Sequence, residues 1–219
     1  MGGVALASLL NPTLLGAADE KPRNAVGGLA ELPHLPAKAK RVIFLCMAGG
    51  PSHLETFDYK PKLAELDGQP MPASVTSGQP IAQLQGAQLK CLAPQFKFQR
   101  VGESGQEISE ILPHTQSIAD KICIIRSLHT DQINHDPAHT VMNTGTSISG
   151  RPSMGAWVTY GLGSECDNLP GFVVLTSVGG RNPQPVASRM WGSGFLPGKF
   201  QGTPFHSRGD AVHYINNPP

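Results

Sequence analysis

The run Arg41-Val-Ile-Phe-Leu-Cys-Met47 constrains the fold more than any other stretch of the chain. It is apolar without alternation and is entered from basic residues, which suits a parallel strand buried on both faces. It closes in Ala48-Gly49-Gly50-Pro51, a tight turn of the kind that lets backbone approach a ligand closely. Ser52-His53-Leu54-Glu55 follows as a capping-box pattern and predicts a helix starting there. Lys121-Ile-Cys-Ile-Ile-Arg126 predicts a second strand and Gly171-Phe-Val-Val-Leu175 a third. Helices are predicted over Ile108–Ala119, Pro137–Asn143 and Met154–Leu162. Strands alternating with helices are the signature of an α/β fold with a mostly parallel sheet. Ligands in open sheets of that class sit beyond the carboxyl ends of the strands. The Gly49-Gly50 turn and the segment after Arg126 both lie there.

The 219 residues suit one domain. Lys and Arg number 17 against 16 Asp and Glu, so no charged surface invites nucleic acid or an anionic membrane. Glycine (25) and proline (20) are both frequent, which assigns much of the chain to loops, with an excursion or lid over Pro61–Arg100 that could hold short strands. Cys46, Cys91, Cys123 and Cys166 form no CxxC pair. Cys46 and Cys123 read as small core residues, and Cys91 and Cys166 could pair in an oxidising compartment. Residues 1–18 read as the remnant of an export signal, apolar and ending in small residues, whose basic start would be an upstream twin-arginine segment. Residues 19–40 read as a linker and 41–219 as the folded part, with no membrane span. The chain is therefore expected in the periplasm or outside the cell.

Function is concentrated in His129–Gly145, HTDQINHDPAHTVMNTG. His129, Asp131, His135, Asp136 and His139 fall close together, supplying the imidazoles and carboxylates that gather round a divalent metal or a phosphoryl or sulfuryl group. Asp136-Pro137 reads as an N-cap followed by proline at the first helical position. His135 and His139 are four residues apart and share a helix face if the helix starts early. Capping alone accounts for Asp136 and for Ser52, and His129 and Asp131 could simply solvate the strand exit. His114, His206 and His213 stand alone and read as structural. Trp157 and Tyr160 read as core, and Arg126 and Arg151 as ordinary ion-pair partners.

RVIFLCMAGGPSHLETFDYKPKL, NHDPAHTVMNTGTSISGRPSMGAWVTYGLGS and LPGFVVL resemble a bacterial family of exported proteins catalogued as domain of unknown function 1501. The resemblance covers Lys40 to the end. It implies the alkaline phosphatase and sulfatase superfamily, a three-layer α/β/α fold, and a chain corresponding to the N-terminal half of a member. In that superfamily the first strand ends in metal-binding aspartates, where this chain has Gly49 and Gly50; His53 and Asp58 are the nearest replacements. A sulfatase's modified Cys or Ser opens a C-x-P-S-R…T-G segment. Aligned on Thr144-Gly145, that segment places His135 at the nucleophile, Pro137 at the proline and His139 at the arginine.

The candidate catalytic residues are thus His135 and His139, as nucleophile or general acid/base. Gly49, Gly50, Ser52 and Asp136 are candidate anion-binding residues, and His53, Asp58, His135 and His139 candidate ligands of a divalent metal ion. The implied activity is metal-dependent hydrolysis of phosphate or sulfate esters, on a small-molecule or glycan substrate. The alternative is a binding module of the same fold that holds sulfated or phosphorylated ligands without chemistry.

Overall fold

A polar hairpin rather than an apolar run forms the longer of the two sheets. The computed structural model describes residues 27–29, 32, 38–78, 86–177, 186–206, 209 and 211–212. These fall into two units, Met47–His135 and a second made of Met1–Cys46 with Asp136–Pro219. The expected export signal at residues 1–18, most of the expected linker and His213 lie outside the described residues.

The Met47–His135 unit opens with single-turn helices α1 (His53–Thr56), α2 (Lys62–Glu65) and α3 (Ala73–Thr76). An isolated bridge, Pro70 with Lys90, and buried Cys91 close the region expected to be an excursion. Strands β1 (Phe98–Val101) and β2 (Gln106–Ser109) then pair antiparallel, from Phe98 opposite Ser109 to Val101 opposite Gln106. The turn between them works because Gly102 has φ 69° and Gly105 φ 64°, a region that only glycine enters freely. Asp120 braces that turn: its carboxylate accepts from the backbone N–H of Glu103 (3.1 Å) and Ser104 (2.9 Å). Those hydrogen bonds, the backbone one from Ser104 first, hold the Asp120 carboxyl below its ordinary pKa of 3.8. Ile108 is fully buried on β2, and Gln116 of α4 (Pro113–Gln116) donates to the carbonyls of Ile108 (3.1 Å) and Ser109 (3.2 Å). The helix expected over Ile108–Ala119 is thus a strand end, this short helix and a 3-10 turn at Ala119–Lys121. Pro113 explains the break, because the residue before a proline is pushed out of the helical region.

In the second unit the long helices are α5 (His135–Thr144) and α6 (Met154–Leu162). Helix α6 has the predicted bounds. Ser153 caps it by accepting from the N–H of Ala156 (3.4 Å), and Gly163 ends it at φ 77°. Strands β3 (Val173–Leu175) and β4 (Thr203–Phe205) pair in parallel, Val173 opposite Thr203. Ala156, Met190 and Phe200 are buried apolar residues of this unit, and the Tyr160 ring meets Phe200 edge-on at 5.2 Å. Gly155 is needed there because a Cβ would lie 2.5 Å from the Phe172 ring. Trp157, expected in the core, is instead 45% exposed and packs edge-on against Phe195 at 5.7 Å.

Helices and strands are mixed, in keeping with the α/β expectation, and the described sheets have two strands each. Two of the three expected strands differ. Val42–Met47 forms no strand, and Ile43 and Leu45 are each 85% exposed. Lys121–Arg126 is likewise not a strand, although Ile122 and Ile124 are half-buried while Cys123 and Ile125 are exposed. A strand exists only through the neighbour that takes its N–H and C=O groups, and no described strand pairs with either run. Cys46 and Cys123, expected in the core, are exposed; all four cysteines are free thiols, Cys91 and Cys166 included.

Candidate functional site

In the Met47–His135 unit the Gly-Gly turn forms as expected. Gly49 (φ 85°) and Gly50 (φ 65°) carry the chain round, and the Gly50 N–H donates to Met47 O at 2.9 Å. That bond commits the Gly50 amide within the turn. Ser52 is exposed and makes no side-chain cap; instead the Thr56 hydroxyl donates to the Ser52 carbonyl at 2.9 Å. Glu55 does not close a capping box either, because its carboxylate accepts the Gln95 N–H at 3.1 Å. His53 is exposed, and its carbonyl accepts the backbone N–H of Asp58 at 2.9 Å. The Asp58 carboxylate pairs with Lys60 Nζ at 2.8 Å. Arg126 donates to the carbonyls of Phe57 (2.7 Å) and Glu107 (3.4 Å), a structural brace. His129 and Asp131 are exposed in a stretch without helix or strand.

Helix α5 is where polar groups concentrate. It begins at His135, two residues earlier than an Asp136 cap requires, so Asp136 and Pro137 lie in the first turn. Proline costs nothing there, because the first N–H groups of a helix have no intrahelical acceptor. The early start also sets His135 and His139 one turn apart on one face. Asp136 and Thr140 share the adjoining strip, again four residues apart. His139 is 7% exposed and Thr140 2%, whereas Asp136 is open to solvent. Thr140 donates its hydroxyl to the Asp136 carbonyl at 3.0 Å, and Asn143 donates to the His139 carbonyl at 2.8 Å.

Arg189 completes this face. Its Nη2 is ion-paired with Asp136 Oδ1, and its Nε donates to Thr140 Oγ1 at 3.1 Å. The guanidinium thus grips two successive turns of α5 beside a buried histidine. No local pattern could have found Arg189, since it lies 49 residues from Thr140 and 53 from Asp136. Arg151, expected to pair ionically, has its guanidinium 5.9 Å from the centre of the Phe195 ring.

Among the described residues no three His, Cys, Asp or Glu side chains come together as a metal-holding set. None of the described helices is long and apolar enough to cross a membrane.

Fold and site define a protein of mixed helices and strands with a polar, arginine-braced face on a histidine-bearing helix. The family model described as "Protein of unknown function (DUF1501)" matches residues 39–219, and the chain belongs to that family. This is the family that the Arg41, Asn134 and Leu169 motifs resemble. No curated protein and no solved structure matches the chain.

Proposed function

We propose that the protein is an exported hydrolase of phosphate or sulfate esters, built on the three-layer α/β/α plan of the alkaline phosphatase and sulfatase superfamily. One observation carries the reading: His135, Asp136, His139 and Thr140 form a continuous polar face on α5, and Arg189 is fastened to it. A guanidinium is the side chain best suited to neutralise a tetrahedral oxyanion. An imidazole nearby supplies either a nucleophile for phosphorus or sulfur or a proton for the departing alcohol. In the nucleophilic route an imidazole nitrogen bonds to the central atom as the ester oxygen leaves and takes a proton. Water then cleaves the new bond and restores the imidazole.

The mostly apolar and small residues of Gly2–Leu15 support export. The resemblance also implies a divalent metal, for which His135 and His139 offer two donors. Two imidazoles are not a coordination set, so no step above passes through a metal.

The test is hydrolysis of aryl phosphate and aryl sulfate by the purified chain, with metal content measured in parallel. His139→Ala is expected to lower the rate by about 10²-fold or more, the scale of a lost acid–base group. Wild-type rates in both His135→Ala and His139→Ala would remove the reading. A second reading, a module that binds such anions without chemistry, is favoured by the Arg189 pairing with Asp136 and Thr140, which needs no catalytic group. Saturable binding with no turnover, whatever metal is supplied, selects it.

A further inference from the structure

Taking α5 as the ester site, we infer that Arg189 is its oxyanion receptor and that Asp136 is a built-in competitor occupying that receptor until a phosphate monoester displaces it. The guanidinium is engaged along one edge, Nη2 by a single oxygen of the Asp136 carboxylate and Nε by the Thr140 hydroxyl. A phosphoryl oxygen can take the place of that carboxylate oxygen on Nη2 without moving the arginine.

The two contacts differ in how easily they are broken. Thr140 is buried, and its hydroxyl is tied to the Asp136 carbonyl at 3.0 Å, so it continues to orient Nε when the carboxylate leaves. The Asp136 side chain is 52% exposed and that of Arg189 31%, so water and soluble anions reach the ion pair. Half-exposed ion pairs of this kind are weak and exchange readily.

Arg189 does not depend on Asp136 for its place. It sits in the 3-10 turn Ser188–Met190, closed by Met190 N–H to Ala187 O (2.9 Å) and Trp191 N–H to Ser188 O (3.2 Å). Buried Met190 anchors the turn, and Gly202 N–H donates to Trp191 O at 2.8 Å just beyond it. The backbone that carries the receptor is anchored, and its stand-in is open to solvent.

Charge then selects the ligand class. The guanidinium favours a dianion over a monoanion. At neutral pH a phosphate monoester is largely dianionic, whereas a sulfate ester carries a single charge. Competition from Asp136 lowers the apparent affinity of every anion by the same factor, so Asp136 sets how tightly the site binds while Arg189 sets the preference for phosphate monoesters.

Calorimetry of the full chain with phenyl phosphate and phenyl sulfate tests this. Wild type is expected to bind phenyl phosphate more tightly than phenyl sulfate. Asp136→Asn is expected to tighten both by the same factor, about threefold to tenfold, the effect of removing one competing charge, and to leave their order unchanged. Arg189→Ala is expected to weaken both by about tenfold or more, with Arg189→Lys in between because it keeps charge and loses the fork. Circular dichroism checks that each variant is folded, and if Arg189→Ala is not, Asp136→Asn decides alone. Unchanged or weaker binding in Asp136→Asn overturns the competitor. If His139→Ala still abolishes hydrolysis in that case, the ester site stands without the competitor; no binding by wild type removes both.

Discussion

Val42–Met47 and the β1–β2 hairpin are both extended segments, yet the more apolar of the two is the one left unpaired. Val42 is 71% exposed and carries no ladder, while Phe98-Gln-Arg-Val101 and Gln106-Glu-Ile-Ser109 pair along their whole length. The hairpin wins because its partner is four residues away in the chain. Closing so short a loop costs little entropy, and two positive-φ glycines and the Asp120 brace make the reversal favourable. A parallel strand has no such local help, since its neighbours arrive only through long crossovers. Apolar content therefore says that a segment wants cover, whereas turn chemistry says that it can find a partner unaided.

The largest expected effect follows from the paired side. Ile108 is fully buried on β2, so Ile108→Ala is expected to cost about 2–4 kcal/mol in urea unfolding, the usual scale for such a truncation. A loss below about 1 kcal/mol would mean that the hairpin is not a packed element and would break the comparison.

The same logic explains which parts of the molecule were legible. Helix α6 was readable to the residue because its signals are local: Ser153 caps it and Gly163 stops it. Helix α5 was readable to within two residues at its start, His135 rather than Pro137, and one at its end, Thr144 rather than Asn143. β3 was read within two residues. The hairpin was missed because Gln99, Arg100, Gln106 and Glu107 give it no apolar period; Gly102 and Gly105, three residues apart between two short runs, were the available signal. The Arg189 grip was not legible at all, since an ion pair across 53 residues leaves no spacing to read.

A smaller effect concerns the brace. The Asp120 pKa is lower folded than unfolded, so its contribution is fully present above the unfolded value near 4 and is lost as pH falls through the folded value. Urea midpoints of wild type are therefore expected to drop more than those of Asp120→Asn between about pH 5 and about pH 3. The amide cannot ionise and loses this part of the slope. Parallel curves for the two proteins would show that the turn holds without the carboxylate, leaving the glycines alone to account for it.

The smallest effect falls on the unpaired side and is the most telling. Leu45 is 85% exposed, so a charge placed there meets water in the folded and the unfolded chain alike. Leu45→Asp is expected to shift stability by no more than about 0.5 kcal/mol, as for other surface substitutions. The sequence pattern argues for the opposite outcome, because an Asp in a strand buried on both faces would be an unpaired interior charge costing several kcal/mol. Urea unfolding of Leu45→Asp beside Ile108→Ala separates the two views. A near-silent Leu45→Asp with a damaging Ile108→Ala keeps the contrast between local and borrowed partners. Comparable losses in both would show that Val42–Met47 is covered in solution, and that its apolar run has found the strand neighbour it calls for.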